Sequence, residues 1–157
     1  MKKIKLHDKV FESYISESEI QKSIDRIAKD IHGKYIGKKP VFIGVLNGCF
    51  YFAADLMKRI DFDSEISFVK VASYQGTKST GNVRQLLGLD QKVQDRHVII
   101  IEDIVDTGNT VEAVSEQIHA MGAKSVAIAT LLLKPEVYTK NIPIDFAAIE
   151  IKPDFVV

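Results

Sequence analysis

The chain has a single cysteine, no excess of charge of either sign and no long apolar run. With only Cys49 available, no intrachain disulfide can form, which matches a reducing compartment. The 21 basic residues are balanced by 21 acidic ones. A broad electrostatic surface for nucleic acid is therefore not expected. No apolar stretch approaches the roughly 20 residues of a membrane-spanning helix. The opening Met1-Lys2-Lys3 is not followed by an apolar segment of signal-peptide length. The expectation is a soluble cytoplasmic protein with neither membrane nor nucleic acid as partner. Repeats and low-complexity segments are lacking too. His7, His32, His97 and His119 do not have the spacing of metal ligands.

What is present is a regular alternation of apolar strands and amphipathic helices. Its 157 residues suffice for one domain with a real core. Ser16 and Glu19 can form a capping box, and Ile20, Ile24, Ile27, Ala28 and Ile31 recur on one face. This predicts a helix over 16–32, stopped at Gly33. Strands are predicted at Val41 to Leu46, Glu65 to Ser73, Gln85 to Leu89, His97 to Glu102, Ser125 to Leu133 and Phe146 to Ile151. Helical spacing covers Phe50 to Ile60, and Thr110 to Met121 before Gly122. A polar loop spans 74–83. The alternation implies an α/β fold: a mainly parallel twisted sheet flanked by helices. In such sheets ligands bind beyond the carboxyl ends of the strands. Leu46-Asn47-Gly48, Ser73-Tyr74 and Glu102 to Thr110 all fall at such ends.

The most informative of these segments is Val98 to Thr110. Four branched apolar residues run into Glu102, Asp103 and Asp106, then into Thr107-Gly108-Asn109-Thr110. A turn opening a helix presents backbone N–H groups that suit a phosphate. Acids beside such a turn suit hydroxyls, with a divalent cation between. Acid capping of a helix is the plainer reading, but three acids within five residues exceed what capping needs.

The stretch resembles the phosphoribosyl-pyrophosphate signature of the type I phosphoribosyltransferases, and its Glu-Asp-Ile-Val-Asp-Thr-Gly form looks most like the hypoxanthine-guanine branch. The resemblance follows the order of segments from the Val41 strand to Val157. It implies one phosphoribosyltransferase domain over 1–157, with a small hood from about 1–15 and 134–157. It implies phosphoribosyl pyrophosphate, a 6-oxopurine base, a purine nucleotide and pyrophosphate as ligands, Mg2+ as cofactor, and a homodimer or homotetramer. Thr107, Gly108, Asn109 and Thr110 would hold the 5′-phosphate. Glu102 and Asp103 would meet the ribose hydroxyls and the magnesium, partly through water. Asp106 would be the catalytic acid/base at purine N7, although Asp also makes a good helix cap.

The remaining segments follow the same resemblance. Leu46, Asn47 and Gly48 look like the pyrophosphate loop, whose first peptide can be cis in the family. Asn47 stands where many relatives carry Lys or Arg. Asn-Gly is also an ordinary turn pair. Ser73 and Tyr74 begin what is, in the family, a flexible loop that closes over the reacting centre. Lys134 matches the lysine that donates to the purine 6-oxo group, which disfavours adenine. An isolated Lys at a strand end is otherwise simply solvated. The family often places an Arg shortly after it, where this chain has Glu136, Val137, Tyr138, Thr139 and Lys140. Phe155 would stack on the base and Val156 would meet its edge by backbone, with a core aromatic as the plainer reading of Phe155. Relatives continue beyond this segment with Gly-Tyr and a magnesium-binding Asp. Lys78 and Arg84 receive no role.

The resemblance implies a purine-salvage enzyme that transfers the 5-phosphoribosyl group to hypoxanthine or guanine. The same fold also serves RNA-binding regulators of pyrimidine genes, and the balanced charge ranks that second. A catalytically weak ligand-binding relative is the third reading, suggested by Asn47.

Overall fold

The computed structural model describes residues 3–6, 9–74, 83–89 and 92–155. It opens on a hairpin of β1 (Lys3–Leu6) and β2 (Lys9–Glu12). Helix α1 (Glu17–Tyr35) follows, then β3 (Val41–Val45), α2 (Phe50–Met57), β4 (Glu65–Tyr74) and β5 (Val83–Leu87). The second half comprises β6 (His97–Val105), α3 (Asn109–Ala120), β7 (Ser125–Leu133) and β8 (Phe146–Glu150). Six strands form one sheet in the order β5-β4-β3-β6-β7-β8, with β4–β5 the antiparallel pair and the other pairs parallel.

Alternation along the strands explains the layers. Phe42, Ile99, Ile101, Ala127 and Ala129 face α1 and α2, where Ile24, Ile27, Ile31, Phe52 and Leu56 complete a buried cluster. Val41, Ile43, Val98, Ile100 and Ile128 face the other way and pack with Val111, Val114 and Ile118 of α3. The register Val41↔Val98 and Ile43↔Ile100 keeps each set on its own face. Both faces are covered, so the central strands read as continuous apolar runs. Among the described residues, no helix is long and apolar enough to cross a membrane.

The expected elements are present, with corrections at their ends. The Ser16–Glu19 capping box forms as expected. Gly33 does not stop α1, which continues to Tyr35. The extra turn buries the Tyr35 ring edge-on to His97 and Phe146. Burying an aromatic is worth about 1.5–3 kcal/mol, more than the roughly 0.5–1 kcal/mol cost of a helical glycine. Helix α2 ends at Met57, before Ile60. Strand β6 runs on to Val105, because β7 offers ladder partners as far as Val105↔Leu133. Glu102, expected as the last strand residue, and Asp103, expected beyond it, thus both lie inside the strand. The N-terminal hairpin carried no recognised turn signal. Of 134–157, Phe146–Glu150 is a strand of the main sheet.

Candidate functional site

The carboxyl ends of β3 and β6 bring two expected segments into contact. Asp103 leans over the loop that follows β3. A methyl group built on Gly48 would lie 2.3 Å from Asp103 Oδ2 and 2.8 Å from its Oδ1. The absence of a side chain at Gly48 is what admits this carboxylate. The Leu46–Asn47 peptide is cis, and Leu46 N–H donates to Val69 O at 2.8 Å, tying the loop to β4. Asn47 and Gly48 are exposed beside the acid pair.

Glu102 is 7% exposed and stands opposite the fully buried Thr130 of β7. Its Oε1 accepts from Asp103 N–H at 3.2 Å, and Asp103 Oδ1 accepts from Ile104 N–H at 2.9 Å. Burial pushes the Glu102 carboxyl up to about 8, helped by the side-chain hydrogen bond and negative charge of Asp103. Burial also pushes the nearby Cys49 thiol up to about 12, with Glu102 and Asp103 adding their charge. Cys49 is therefore a packed, unreactive thiol.

After Val105 the chain turns into α3. Gly108 is the residue before the helix, at φ +89° and ψ 2°, and no side chain caps it. The first helical hydrogen bond is Glu112 N–H to Gly108 O, at 3.0 Å. The N–H groups of Asn109, Thr110 and Val111 lack helical partners for that reason. A hollow of about 100 Å³ is lined by Glu102, Asp106, Thr107, Gly108, Asn109 and Thr110 with their neighbours. The structure thus gathers Glu102, Asp106 and the Thr107 to Thr110 turn around one small space, while Asp103 turns to Gly48 instead. Asn109 and Thr110 belong to the first turn of α3 rather than to a preceding loop.

Asp106 is half exposed at the rim of this hollow, with Oδ2 3.7 Å from Lys134 Nζ. Lys134 itself is almost enclosed, its side chain 11% exposed. Its backbone N–H donates to Val105 O at 2.9 Å, and its Nζ donates to Pro153 O at 3.1 Å. Lys134 therefore bridges the end of β6 to the segment that carries Phe155. Phe155 faces Tyr14, with ring centroids 5.6 Å apart and planes at 56°. Tyr14, Lys152, Asp154 and Phe155 line a hollow of about 310 Å³. Tyr14 was not singled out from the sequence, because nothing local to an exposed tyrosine before a helix cap marks it. Tyr14, between β2 and α1, meets the segment after β8 only through the fold.

Ser73 and Tyr74 end β4, paired with Arg84 and Val83 of β5, so Tyr74 lies in a strand and not in the loop. The remainder of the expected flexible loop, with Lys78, falls outside the described residues. So does Val156. Another hollow, of about 370 Å³, lies between α1 and the turn after α2, with Asp25, His32, Arg59 and Asp61 in its wall. Arg59 pairs with Asp25 there, and His32 Nε2 lies 3.4 Å from Asp61 Oδ1.

A family model of the phosphoribosyl transferase domain matches residues 13–156. The chain is 41% identical over 144 residues to the hypoxanthine-guanine phosphoribosyltransferase of Bacillus subtilis, covering 91% of this chain and 80% of that one. It is 40% identical over 152 residues to the enzyme of the same name from Lactococcus lactis, covering 96% and 82%. It is 38% identical over 153 residues to the bifunctional protein TilS/HprT of Listeria innocua, covering 97% of this chain but 24% of that relative's length. A crystal structure of a hypoxanthine phosphoribosyltransferase from Staphylococcus aureus superposes with a TM-score of 0.83 at 32% identity, covering 92% of this chain and 79% of that one. With the fold, the strand-end site and the matched span in agreement, this chain belongs to the phosphoribosyl transferase domain family.

Proposed function

We propose that this protein transfers the 5-phosphoribosyl group of phosphoribosyl pyrophosphate to hypoxanthine or guanine, releasing pyrophosphate and a purine nucleotide. The observation that carries the proposal is the placement of Asp106. It sits on the rim of the anion turn and 3.7 Å from the ammonium of Lys134. One carboxylate thus stands between a seat for the sugar phosphate and a donor suited to a 6-oxo group.

The geometry supports the roles that the resemblance implies. The free N–H groups at the start of α3 hold the 5′-phosphate. Asp103, seated over Gly48, meets the ribose hydroxyls. Leu46, Asn47 and Gly48 offer backbone groups to the pyrophosphate. Lys134 donates to the purine oxygen, Phe155 supplies a stacking face and Tyr14 closes the hollow beside it. As N9 of the base bonds to C1′ and the C1′–O bond to pyrophosphate breaks, Asp106 accepts the N7 proton and pyrophosphate leaves with the bonding pair.

The donor set fits Mg2+. Among the described residues, no cluster of three or more His, Cys, Asp or Glu could hold a metal alone. Magnesium keeps several waters and takes one or two carboxylates plus ligand oxygens. Glu102 and Asp103, adjacent at the strand end, supply that number. When bound, the ion would neutralise charge on the departing pyrophosphate.

Steady-state assays with phosphoribosyl pyrophosphate, Mg2+ and each of hypoxanthine, guanine, xanthine and adenine test the proposal. We expect turnover of a 6-oxopurine and little of adenine. Absence of turnover with every 6-oxopurine would sink it. The proposed setting is the cytoplasm, supported by the one free buried thiol. The proposed assembly is a homodimer or homotetramer, which light scattering in solution decides.

A further inference from the structure

The turn before α3 depends on a peptide plane that its own sequence leaves undecided. The Thr107–Gly108 peptide can in principle face either way, because a glycine at Gly108 accepts φ of either sign. Only one orientation directs the Gly108 N–H at an anion. In a trans peptide the C=O and N–H point in opposite directions. Whatever fixes the Thr107 carbonyl therefore aims the Gly108 N–H.

Thr139 holds that carbonyl with two donors. Its N–H reaches Thr107 O at 3.3 Å and its Oγ1 reaches the same oxygen at 3.2 Å. Thr139 is itself well held. Val137 and Tyr138 N–H donate to Lys134 O, at 3.2 and 3.1 Å. The Tyr138 hydroxyl donates to Ile142 O at 2.7 Å. Lys140 Nζ pairs with Glu112 Oε2 of α3 at 2.6 Å. The Tyr138 ring and the Lys140 stem occupy the space where a Gly108 methyl would stand, 2.5 and 2.7 Å from it. The segment after Lys134 is thus a strap packed against the turn, and none of Tyr138, Thr139 and Lys140 lines the hollow.

We infer that Thr139 is a positioning residue for the anion turn: it locks the Thr107–Gly108 peptide so that the Gly108 N–H faces the phosphate. This deepens the proposed function, and it rests on that reading of the turn as the seat of the 5′-phosphate. The side-chain donor contributes one neutral hydrogen bond, so its loss is read as about a three- to tenfold effect on phosphate-bearing ligands.

Two variants and two readouts test the lock. Thr139→Val removes the hydroxyl and keeps the shape, and Thr139→Ser keeps the hydroxyl. In steady state, Thr139→Val should raise KM for phosphoribosyl pyrophosphate about three- to tenfold, with KM for hypoxanthine within about twofold of the parent. Thr139→Ser should restore the parent values. Equal changes in both KM values, no change in either, or no rescue by serine would overturn the lock. The second readout is the amide nuclear magnetic resonance spectrum of the ligand-free protein. The Gly108 signal should shift or broaden in Thr139→Val and return in Thr139→Ser; an unmoved signal overturns the lock whatever the activity. Failure of the parent protein to turn over any 6-oxopurine would instead sink the functional reading, and the spectrum would still decide the lock.

Discussion

Gly48→Ala puts the contact between the β3 loop and the acid pair under direct strain. The added methyl would lie 2.3 Å from Asp103 Oδ2, 2.6 Å from Cγ and 2.8 Å from Oδ1. That is about 1 Å inside an unstrained contact. Asp103 is short, and its Oδ1 already accepts from Ile104 N–H at 2.9 Å. A rotation that clears the methyl gives up this hydrogen bond, worth about 1.5–3 kcal/mol for a charged acceptor. An off-rotamer side chain adds about 0.5–1.5 kcal/mol. The combined cost is about 2–4 kcal/mol. If Asp103 turns away from the ribose, kcat/KM for phosphoribosyl pyrophosphate falls by roughly 30- to 1000-fold, at tenfold per 1.4 kcal/mol. If Asp103 stays and the backbone yields, the melting temperature falls instead, by about 2–4 °C per kcal/mol for a chain of this size. Circular dichroism melting and steady-state kinetics separate the two outcomes. The pair Gly48→Ala with Asp103→Ala should be no less stable than Asp103→Ala alone, because the clash is then gone. A Gly48→Ala protein with kcat/KM within about threefold and an unchanged melting point would refute the reasoning.

Other residues give independent tests. Asp106→Asn should keep phosphoribosyl pyrophosphate binding, measured by calorimetry, while kcat falls by about 10²- to 10⁴-fold; an unchanged kcat removes Asp106 from proton transfer. Lys134→Gln should raise KM for hypoxanthine and narrow the gap between hypoxanthine and adenine, since an amide can also accept from an amino group; an undiminished gap would place base selection elsewhere. Burial, followed by the charges of Lys124 and Lys38, holds His97 below its usual value. A depressed histidine contributes stability that is full above its unfolded value and is lost as pH falls through the folded one. The drop in urea midpoint between about pH 7.5 and about pH 5.5 should therefore be smaller in His97→Gln than in the parent. Ser16→Ala removes both hydrogen bonds of the Ser16 hydroxyl with Glu19 and leaves the Ser16 N–H bond to the Glu19 carboxylate; it should cost about 1 kcal/mol in chemical denaturation, with activity retained.

Much of the fold was legible because periodicity is a local record of burial. Val98 to Ile101 face opposite sides in turn, and both sides are covered, so the run is apolar throughout. Ser16 with Glu19 marked a helix start that the structure keeps. Ends set by tertiary packing were misread. Gly33 carries a stop signal, yet Tyr35 pulls the helix onward into the core. Glu102 looks like the last residue of a strand, yet the β7 ladder continues past it to Val105.

By itself the sequence determined the α/β class and the acid-and-turn segment from Glu102 to Thr110, readings that rest on residues close in the chain, where spacing fixes geometry. The candidate roles of Asp106 and Lys134 came from the resemblance to the phosphoribosyltransferases. Only the tertiary structure decided that Asp103 lies on Gly48, that Tyr14 faces Phe155, that Lys134 bridges the end of β6 to Pro153, and that Thr139 holds the Thr107 carbonyl. Each of these joins segments far apart in sequence. Their spacing carries no period, and their contact exists only once parallel strands and crossover helices bring the strand ends together.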